Sequence, residues 1–389
     1  MNVLEQTART GAIEVSNLDE LGGWPSSAAL ADVDLSLDDR TRVSALPWRG
    51  QFSPMTAERL LKALAPDGGI ALDPFVGSGT TLLEAARRGM SAVGFDVNPA
   101  AVALARCVCL AACTPDERAK RLDQAMKVGL APNATERLSG STEIDEAHAV
   151  ALLAHVDGSP ESAQRRLEAL LASLPSNPVS VRADLGDARA TGLQAGSADV
   201  VLTSPPYINV FNYHQYGRPL SDGFGWPILT AARSEIGSNR QNRGNRFRTV
   251  IQYSIDMALA LAEMARVLRP GRPAVVVVGR ESRVRGVSFY NGDLLARIAR
   301  VLGTFDTFER AERVFVSRFG ERIFEDVLVL SNAQPASHAK RYIEQIGRAA
   351  GVRALHDCPG DGLTESEIEA AIEDADKIGP SPLATGTLV

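Results

Sequence analysis

Ser204-Pro205-Pro206-Tyr207 sets a hydroxyl, two ring-locked residues and an aromatic ring in consecutive positions. The residues before it, Ala198-Asp199-Val200-Val201-Leu202-Thr203, are rich in strand formers, so the four read as a stiff turn at a strand's end. Prolines hold φ near one value and offer no N–H, while their carbonyls remain free acceptors. Such a turn suits an amino group on a flat ring. The Ser204 hydroxyl and the Pro205 carbonyl accept its N–H bonds, Pro206 stiffens the turn, and Tyr207 stacks on the ring.

A second constellation lies upstream. Gly69-Ile70-Ala71-Leu72-Asp73 has the look of a buried parallel strand, followed by Asp73-Pro74-Phe75-Val76-Gly77-Ser78-Gly79-Thr80-Thr81 and a helix over Leu82–Arg88. Glycines allow a tight turn and a close approach of ligand to backbone. The next strand, Ser91-Ala92-Val93-Gly94-Phe95, ends at Asp96, 19 residues past Gly77. An acid about 20 residues beyond a glycine-rich turn suits a ribose diol. The turn lacks the G-x-G-x-x-G spacing of dinucleotide sites and the Gly-Lys-Ser/Thr ending of a P-loop.

Together, Asp73-Pro-Phe-Val-Gly-Ser-Gly-Thr80 and Thr203-Ser-Pro-Pro-Tyr207 resemble the motifs of the amino-group DNA methyltransferases. The resemblance spans about residues 45–332. It implies S-adenosylmethionine as methyl donor and an exocyclic base nitrogen as acceptor. Ser-Pro-Pro-Tyr is typical of the cytosine-N4 branch, whereas adenine-N6 enzymes more often begin the motif with Asp or Asn. RNA amino-group methyltransferases share the fold and are a further reading. The resemblance implies cofactor contacts from Phe52, Asp73, Pro74, Phe75, Gly77, Ser78, Gly79, Thr80 and Asp96. It also implies an acid accepting from the cofactor's adenine amino group; Asp187 is preferred over Asp184, because Gly186 allows close approach. Phe52 and Trp48 either close over the methionine end or pack on the sheet edge. Catalysis falls to Ser204, Pro205, Pro206 and Tyr207, acting on a base flipped from the duplex. Cytosine-C5 chemistry needs a Pro-Cys nucleophile, and this chain has only the reverse, Cys358-Pro359.

The elements that must position these residues follow from pattern. A loop over Pro47–Pro54 leads into a helix over Met55–Leu64. Asn98-Pro99 opens a helix through Cys113, with Asn98 as cap. Cys107, Cys109 and Cys113 on it read as buried thiols, and no metal site is expected. Residues 114–178 interrupt the strand–helix alternation with a helical insertion, opened by the capping box Thr114-Pro115-Asp116-Glu117. Target recognition, cover for the cofactor and structural packing are its open readings. Strand logic resumes at Val179–Ala183. Residues 208–249 read as a polar loop without periodicity. Between Arg233 and Arg248 it holds five arginines (Arg233, Arg240, Arg243, Arg246, Arg248) against one acid, Glu235. Arginines among Asn, Gln and Gly suit phosphate and base-edge contact. His214 receives no role. Then come a helix over Ile251–Leu268, a buried strand at Ala274–Gly279, a helix over Asn291–Leu302, and a hairpin of Phe308–Ser317 with Ile323–Leu330. The expected fold is α/β: a Rossmann-like, S-adenosylmethionine-dependent methyltransferase sheet of seven mostly parallel strands, ending in an antiparallel hairpin.

Composition sets the outer bounds. The chain has 389 residues, 45% of them hydrophobic, enough for a sizeable core. It holds no apolar run of about 18 residues and no signal-like N-terminus, so a cytoplasmic, nucleoid-associated enzyme of bacterial type is expected, away from membranes. The net charge of -6 is unusual for a DNA partner. Its source is local: seven acids stand against Lys377 within Asp361–Lys377. The expected organisation is an N-terminal extension (1–44, with a short polar helix near Ser36–Arg42), a methyltransferase domain (45–332) and an acidic, solvated C-terminal tail (333–389). A restriction endonuclease, if one is a partner, is a separate protein. Oligomeric state is left open.

Overall fold

Runs of β-branched residues build the centre of the molecule. Ala274–Gly279 (Ala-Val-Val-Val-Val-Gly) and Val200–Thr203 are buried along their whole length, as parallel strands covered on both faces require. The computed structural model describes residues 28–35, 44–48, 50–51, 53–208, 212–238, 242–316, 320–331, 333, 338–358 and 361–384. In chain order the elements are α1 (Pro54–Leu64), β1 (Ile70–Asp73), α2 (Thr80–Arg87), β2 (Ser91–Asp96) and α3 (Pro99–Cys109). Four helices follow: α4 (Pro115–Gly129), α5 (Ala134–Leu138), α6 (Glu146–Asp157) and α7 (Pro160–Ser173). Next are β3 (Val181–Leu185), β4 (Val200–Thr203), α8 (Arg218–Gly223), α9 (Ile228–Ser234), α10 (Arg248–Val267) and β5 (Ala274–Gly279). The chain continues through β6 (Glu281–Val284), β7 (Val287–Tyr290), α11 (Asn291–Leu302), β8 (Thr307–Val316), β9 (Arg322–Ser331), α12 (Lys340–His356) and α13 (Leu363–Glu373).

The main sheet has seven strands in the order β3-β2-β1-β4-β5-β9-β8. The first five are parallel, and β9 and β8 run antiparallel. This is the expected fold class. The order turns back between β1 and β4, so a crevice opens where their carboxyl ends diverge, the usual ligand position in such sheets. Asp73 ends β1 and Thr203 ends β4, which brings the two motif turns side by side. The small hairpin β6–β7 stands apart from this sheet and is an addition to the expected elements.

The insertion is helical, as expected. Asn98 and Thr114 each cap the helix assigned to them, Thr114 and Glu117 complete the capping box, and Ser159 caps α7. Buried Arg118 closes the insertion's base. Its guanidinium donates to the carbonyls of Leu110, Ala111 and Pro175, joining entry and exit. Cys107 is buried, and Cys109 and Cys113 are partly so.

Two expectations are corrected here. Residues 208–249 are not one polar loop: they contain α8 and α9. Phe224 and Trp226 from this segment are buried against His148 of α6, with ring centroids 5.0 and 5.2 Å apart from it. Spacing hid this, because the apolar anchors sit in short helices too brief to show a period. The acidic C-terminal segment is likewise no solvated tail. In α12, Ile343, Ile346, Ala350 and Leu355 are buried. Gly347 and Gly351 let α12 approach α10 closely: a Cβ at 347 would lie 2.5 Å from the Ile255 Cα, and one at 351 would lie 2.7 Å from the Ile251 Cα. The acids of α13 meet arginines of the domain, in the pairs Arg248–Asp374 and Arg285–Glu367. No helix among the described residues is long and apolar enough to cross a membrane. The short polar helix expected near Ser36–Arg42 lies outside the described residues.

Candidate active site

The glycine-rich turn is built before any ligand is considered. Gly77 and Gly79 take φ of 50° and 90°, in the left-handed region that a Cβ disfavours. At Gly77 a Cβ would also lie 3.0 Å from the Trp48 ring. The Val76 amide donates to the Phe95 carbonyl at 2.8 Å, tying the turn to β2. The Gly77 amide donates to Asp96 Oδ2 at 3.1 Å, and the Asn98 amide donates to Oδ1 at 2.9 Å. Asp96 is thus held by backbone at both oxygens, at the head of the turn. Burial pushes its carboxyl up to about 7, against those two amides, with Glu235 and Asp73 adding like charge.

Asp73 is the brace between the two motifs. Its Oδ1 accepts from the Phe75 amide at 3.1 Å and from Thr203 Oγ1 at 2.6 Å. Burial lifts it to about 6, opposed chiefly by the Thr203 bond. Thr81 Oγ1 adds a second tie, donating to the Leu202 carbonyl at 3.2 Å. Gln51 Nε2 donates to Ser78 Oγ at 2.8 Å and to Thr80 Oγ1 at 2.6 Å, so the loop before α1 rests on the turn.

These contacts create one cleft at the carboxyl ends of β1, β2 and β4. Its walls include Trp48, Asp73, Pro74, Phe75, Gly77, Ser78, Thr80, Asp96, Asp187, Ser204 and Pro206. Gly79 is not on this wall; it caps α2 from behind, packed on Val108 and Ala105. Phe52 and Arg240 lie outside the described residues.

Three assigned residues differ from their expected settings. Asp187 lines the cleft, but its oxygens are occupied. Arg189 donates to Oδ1 through its amide and Nε, and to Oδ2 through Nη2, while the Ala384 amide also donates to Oδ2. A carboxylate offers about four acceptor sites, so Asp187 has none to spare for an adenine amino group in this arrangement. A short D-A-R triplet conceals this, because Ala384, and the Asp256 and Ser381 that share Arg189, are distant in sequence. Tyr207 is not among the described residues on the cleft wall. Its ring sits on β5, where a Cβ at Gly279 would lie 2.9 Å from Tyr207 Cε2, and Ser204 is within hydrogen-bonding reach of its hydroxyl. Arg248 is turned to Asp374, so it is not a free phosphate contact. Arg233 and Arg243 are exposed, and Arg246 is half-buried.

The cleft also holds residues that received no role from sequence. Tyr213 and Glu235 line it. Glu235 Oε2 pairs with His214 Nδ1 at 2.8 Å, with both side chains buried. The one acid in an arginine-rich stretch was the available signal. Trp48 packs on Tyr213 and Tyr216, with centroids 6.4 and 4.8 Å apart, and shuts one side of the cleft.

Residues 38–106 match the family model described as DNA methylase. That segment contains the glycine-rich turn and Asp96. Over 53 residues the chain is 42% identical to the type II methyltransferase M.MjaII of Methanocaldococcus jannaschii, covering 14% of this chain and 10% of that protein. Over 58 residues it is 41% identical to the type II methyltransferase M.ScaI of Streptomyces caespitosus, covering 15% and 19%. The matches therefore span under a fifth of each relative. Among solved structures, the rRNA methyltransferase AviRa of Streptomyces viridochromogenes aligns over 88% of this chain and 96% of its own, at 16% identity and a TM-score of 0.33.

Proposed function

We propose that this chain is an S-adenosylmethionine-dependent methyltransferase acting on an exocyclic amino group of a DNA base, cytosine N4 in first place. The observation that carries this is the Asp73–Thr203 hydrogen bond of 2.6 Å. It joins the glycine-rich turn to the Ser-Pro-Pro-Tyr turn at the sheet's switch point, so both wall one cleft. The matches to a DNA methylase model and to two type II methyltransferases support the same reading.

When bound, the cofactor supplies an electrophilic methyl group. The chain's residues fit it: Gly77 and Ser78 of the turn wall the cleft, and Asp96 offers carboxylate oxygens to a ribose. Ser204 and the Pro205 carbonyl accept the hydrogens of the target amine. That draws its lone pair out of conjugation and toward attack. The departing proton leaves through Ser204 or solvent, and no covalent enzyme intermediate is needed. Holding both reactants at near-attack distance supplies much of the rate. Tyr207, whose ring rests on β5, steadies Ser204 through its hydroxyl.

Adenine N6 is the second reading, since either amine meets the same two acceptors. An RNA amino group is a third. The enzyme would work in the cytoplasm on nucleoid DNA, alone or beside a separately encoded restriction endonuclease. Purified protein incubated with methyl-labelled cofactor and either duplex DNA or total RNA tests this: label should appear in N4-methylcytosine of the DNA, and label found only in RNA would refute the DNA assignment.

A further inference from the structure

The chain beyond α13 returns to the wall of the cleft, and its docking there is uneven. Ser381 is 5% exposed; its amide donates to Asp256 Oδ1 at 2.9 Å and its hydroxyl to Oδ2 at 2.6 Å. Arg189 grips the same stretch, donating to the Ser381 and Pro382 carbonyls at 2.8 and 2.9 Å. Past this buried anchor the segment opens out. Leu383 is 45% exposed, and the Ala384 amide donates to Asp187 Oδ2 at 3.0 Å. Asp187 itself lines the cleft.

The bonds that fill Asp187 differ in kind. Three come from Arg189: its amide and Nε donate to Oδ1 at 3.0 and 2.8 Å, and Nη2 donates to Oδ2 at 2.6 Å. The two guanidinium bonds join opposite charges in a fork, the strong form of such contacts. Arg189 is also held by Asp256. Breaking that fork would separate a buried ion pair, which is costly. The Ala384 bond is a single one from a neutral peptide, next to exposed chain. Of the two partners, Ala384 is the one that can let go: opening it loses one hydrogen bond and leaves the Ser381 anchor in place. Segments with few buried contacts open at low free energy.

Asp187 is also the acid expected from sequence to accept from the adenine amino group of the cofactor. We propose that the Ala384 amide and that amino group compete for Asp187 Oδ2, so that Ser381–Ala384 is an autoinhibitory strap whose outer end is released when the cofactor binds. This rests on the cofactor reading above. The exchange is even: one N–H donor replaces another on the same oxygen, and the Arg189 fork is untouched. The coupling is reciprocal. Whatever holds the strap down weakens cofactor binding, and the bound cofactor frees the strap.

Two ligands test this on the full chain: S-adenosylhomocysteine, and its counterpart with hydrogen in place of the 6-amino group. Saturating S-adenosylhomocysteine should speed hydrogen exchange at the Ala384 amide by about fivefold or more, the worth of one net hydrogen bond. The deaminated ligand should leave that amide as protected as in the free protein. Ala384→Pro has no N–H to compete. By calorimetry it should bind S-adenosylhomocysteine about fivefold more tightly than wild type, and the deaminated ligand within about twofold of wild type. An Ala384 amide that keeps or gains protection with S-adenosylhomocysteine bound, or loses it equally with both ligands, would overturn the inference alone. So would an Ala384→Pro variant with wild-type preference between the two. If that variant does not fold, the exchange measured on wild type decides. Wild type that binds neither ligand would overturn the cofactor reading, and this inference with it.

Discussion

Ser204 and Asp96 separate the two halves of the proposed chemistry. Ser204→Ala removes an acceptor for the target amine and touches none of the bonds that shape the glycine-rich turn. It should lower the transfer rate by about 10²–10³, the usual cost of one preorganised polar contact, with cofactor affinity unchanged by calorimetry. Asp96→Ala should do the reverse first, weakening cofactor binding by about 10–100-fold; unchanged affinity would remove Asp96 from the ribose. The pH dependence follows from the raised carboxyls. Asp96 stands at about 7 and Asp73 at about 6, both above the ordinary 3.8, so the ligand-free fold favours their neutral forms. Their contribution to stability is therefore lost as pH rises from about 4 through 7. Around Asp96 the facing groups are Asp73 on β1, Glu235 after α9 and the Tyr213 phenol, none of which supplies positive charge. A cationic ligand restores the ionised form. Thermal stabilisation by S-adenosylmethionine should accordingly grow between pH 6 and pH 8; a flat response would contradict the acid cluster's role. At this scale the sequence was legible in local geometry: Gly77 turns with positive φ, its amide meets Asp96, and Ser204 lines the cleft. It could not show that Asp187 is held by Arg189 and the Ala384 amide, nor that Arg189 is shared with Asp256 and the Ser381 carbonyl.

Elements were readable where a cap or a long buried run announced them. Asn98, Thr114 and Ser159 mark helix starts by side-chain chemistry that acts within three residues. Ala274–Gly279 has too many β-branched residues to be mistaken. The insertion's fixation was not readable, because it depends on Arg118 reaching carbonyls at Leu110, Ala111 and Pro175. Arg118→Ala strands those buried acceptors and should cost about 3 kcal/mol. Urea denaturation measures it; a loss under about 0.5 kcal/mol, the range of ordinary surface substitutions, would show that the insertion is held by other means. The segments α8 and α9 escaped notice for the same kind of reason. Phe224 and Trp226 are anchored by His148, some 75 residues upstream in a different element.

At the scale of the whole molecule, the mostly parallel sheet with its antiparallel hairpin followed from the resemblance, while its strand order came only with the structure. So did the C-terminal layer. Its acidity suggested solvent, yet acids on one face of a helix leave the other face free to pack. Gly347 and Gly351, four residues apart, are what bring α12 onto α10. Gly351→Val should therefore destabilise the protein by at least about 1–3 kcal/mol, the cost of overpacking a close contact. A variant with a wild-type melting temperature would show that α12 is dispensable. The same layer carries the acids that meet Arg248 and Arg285, so the net charge of -6 is partly an internal balance and no measure of the surface offered to DNA.

Single-molecule sequencing of DNA from cells expressing the chain, with Ser204→Ala as control, tests the central claim most directly. The expected result is N4-methylcytosine in one sequence context, absent in the control; N6-methyladenine in its place would move the assigned base and keep the site. DNA without either mark, or a mark that persists at full level in Ser204→Ala, would contradict the account.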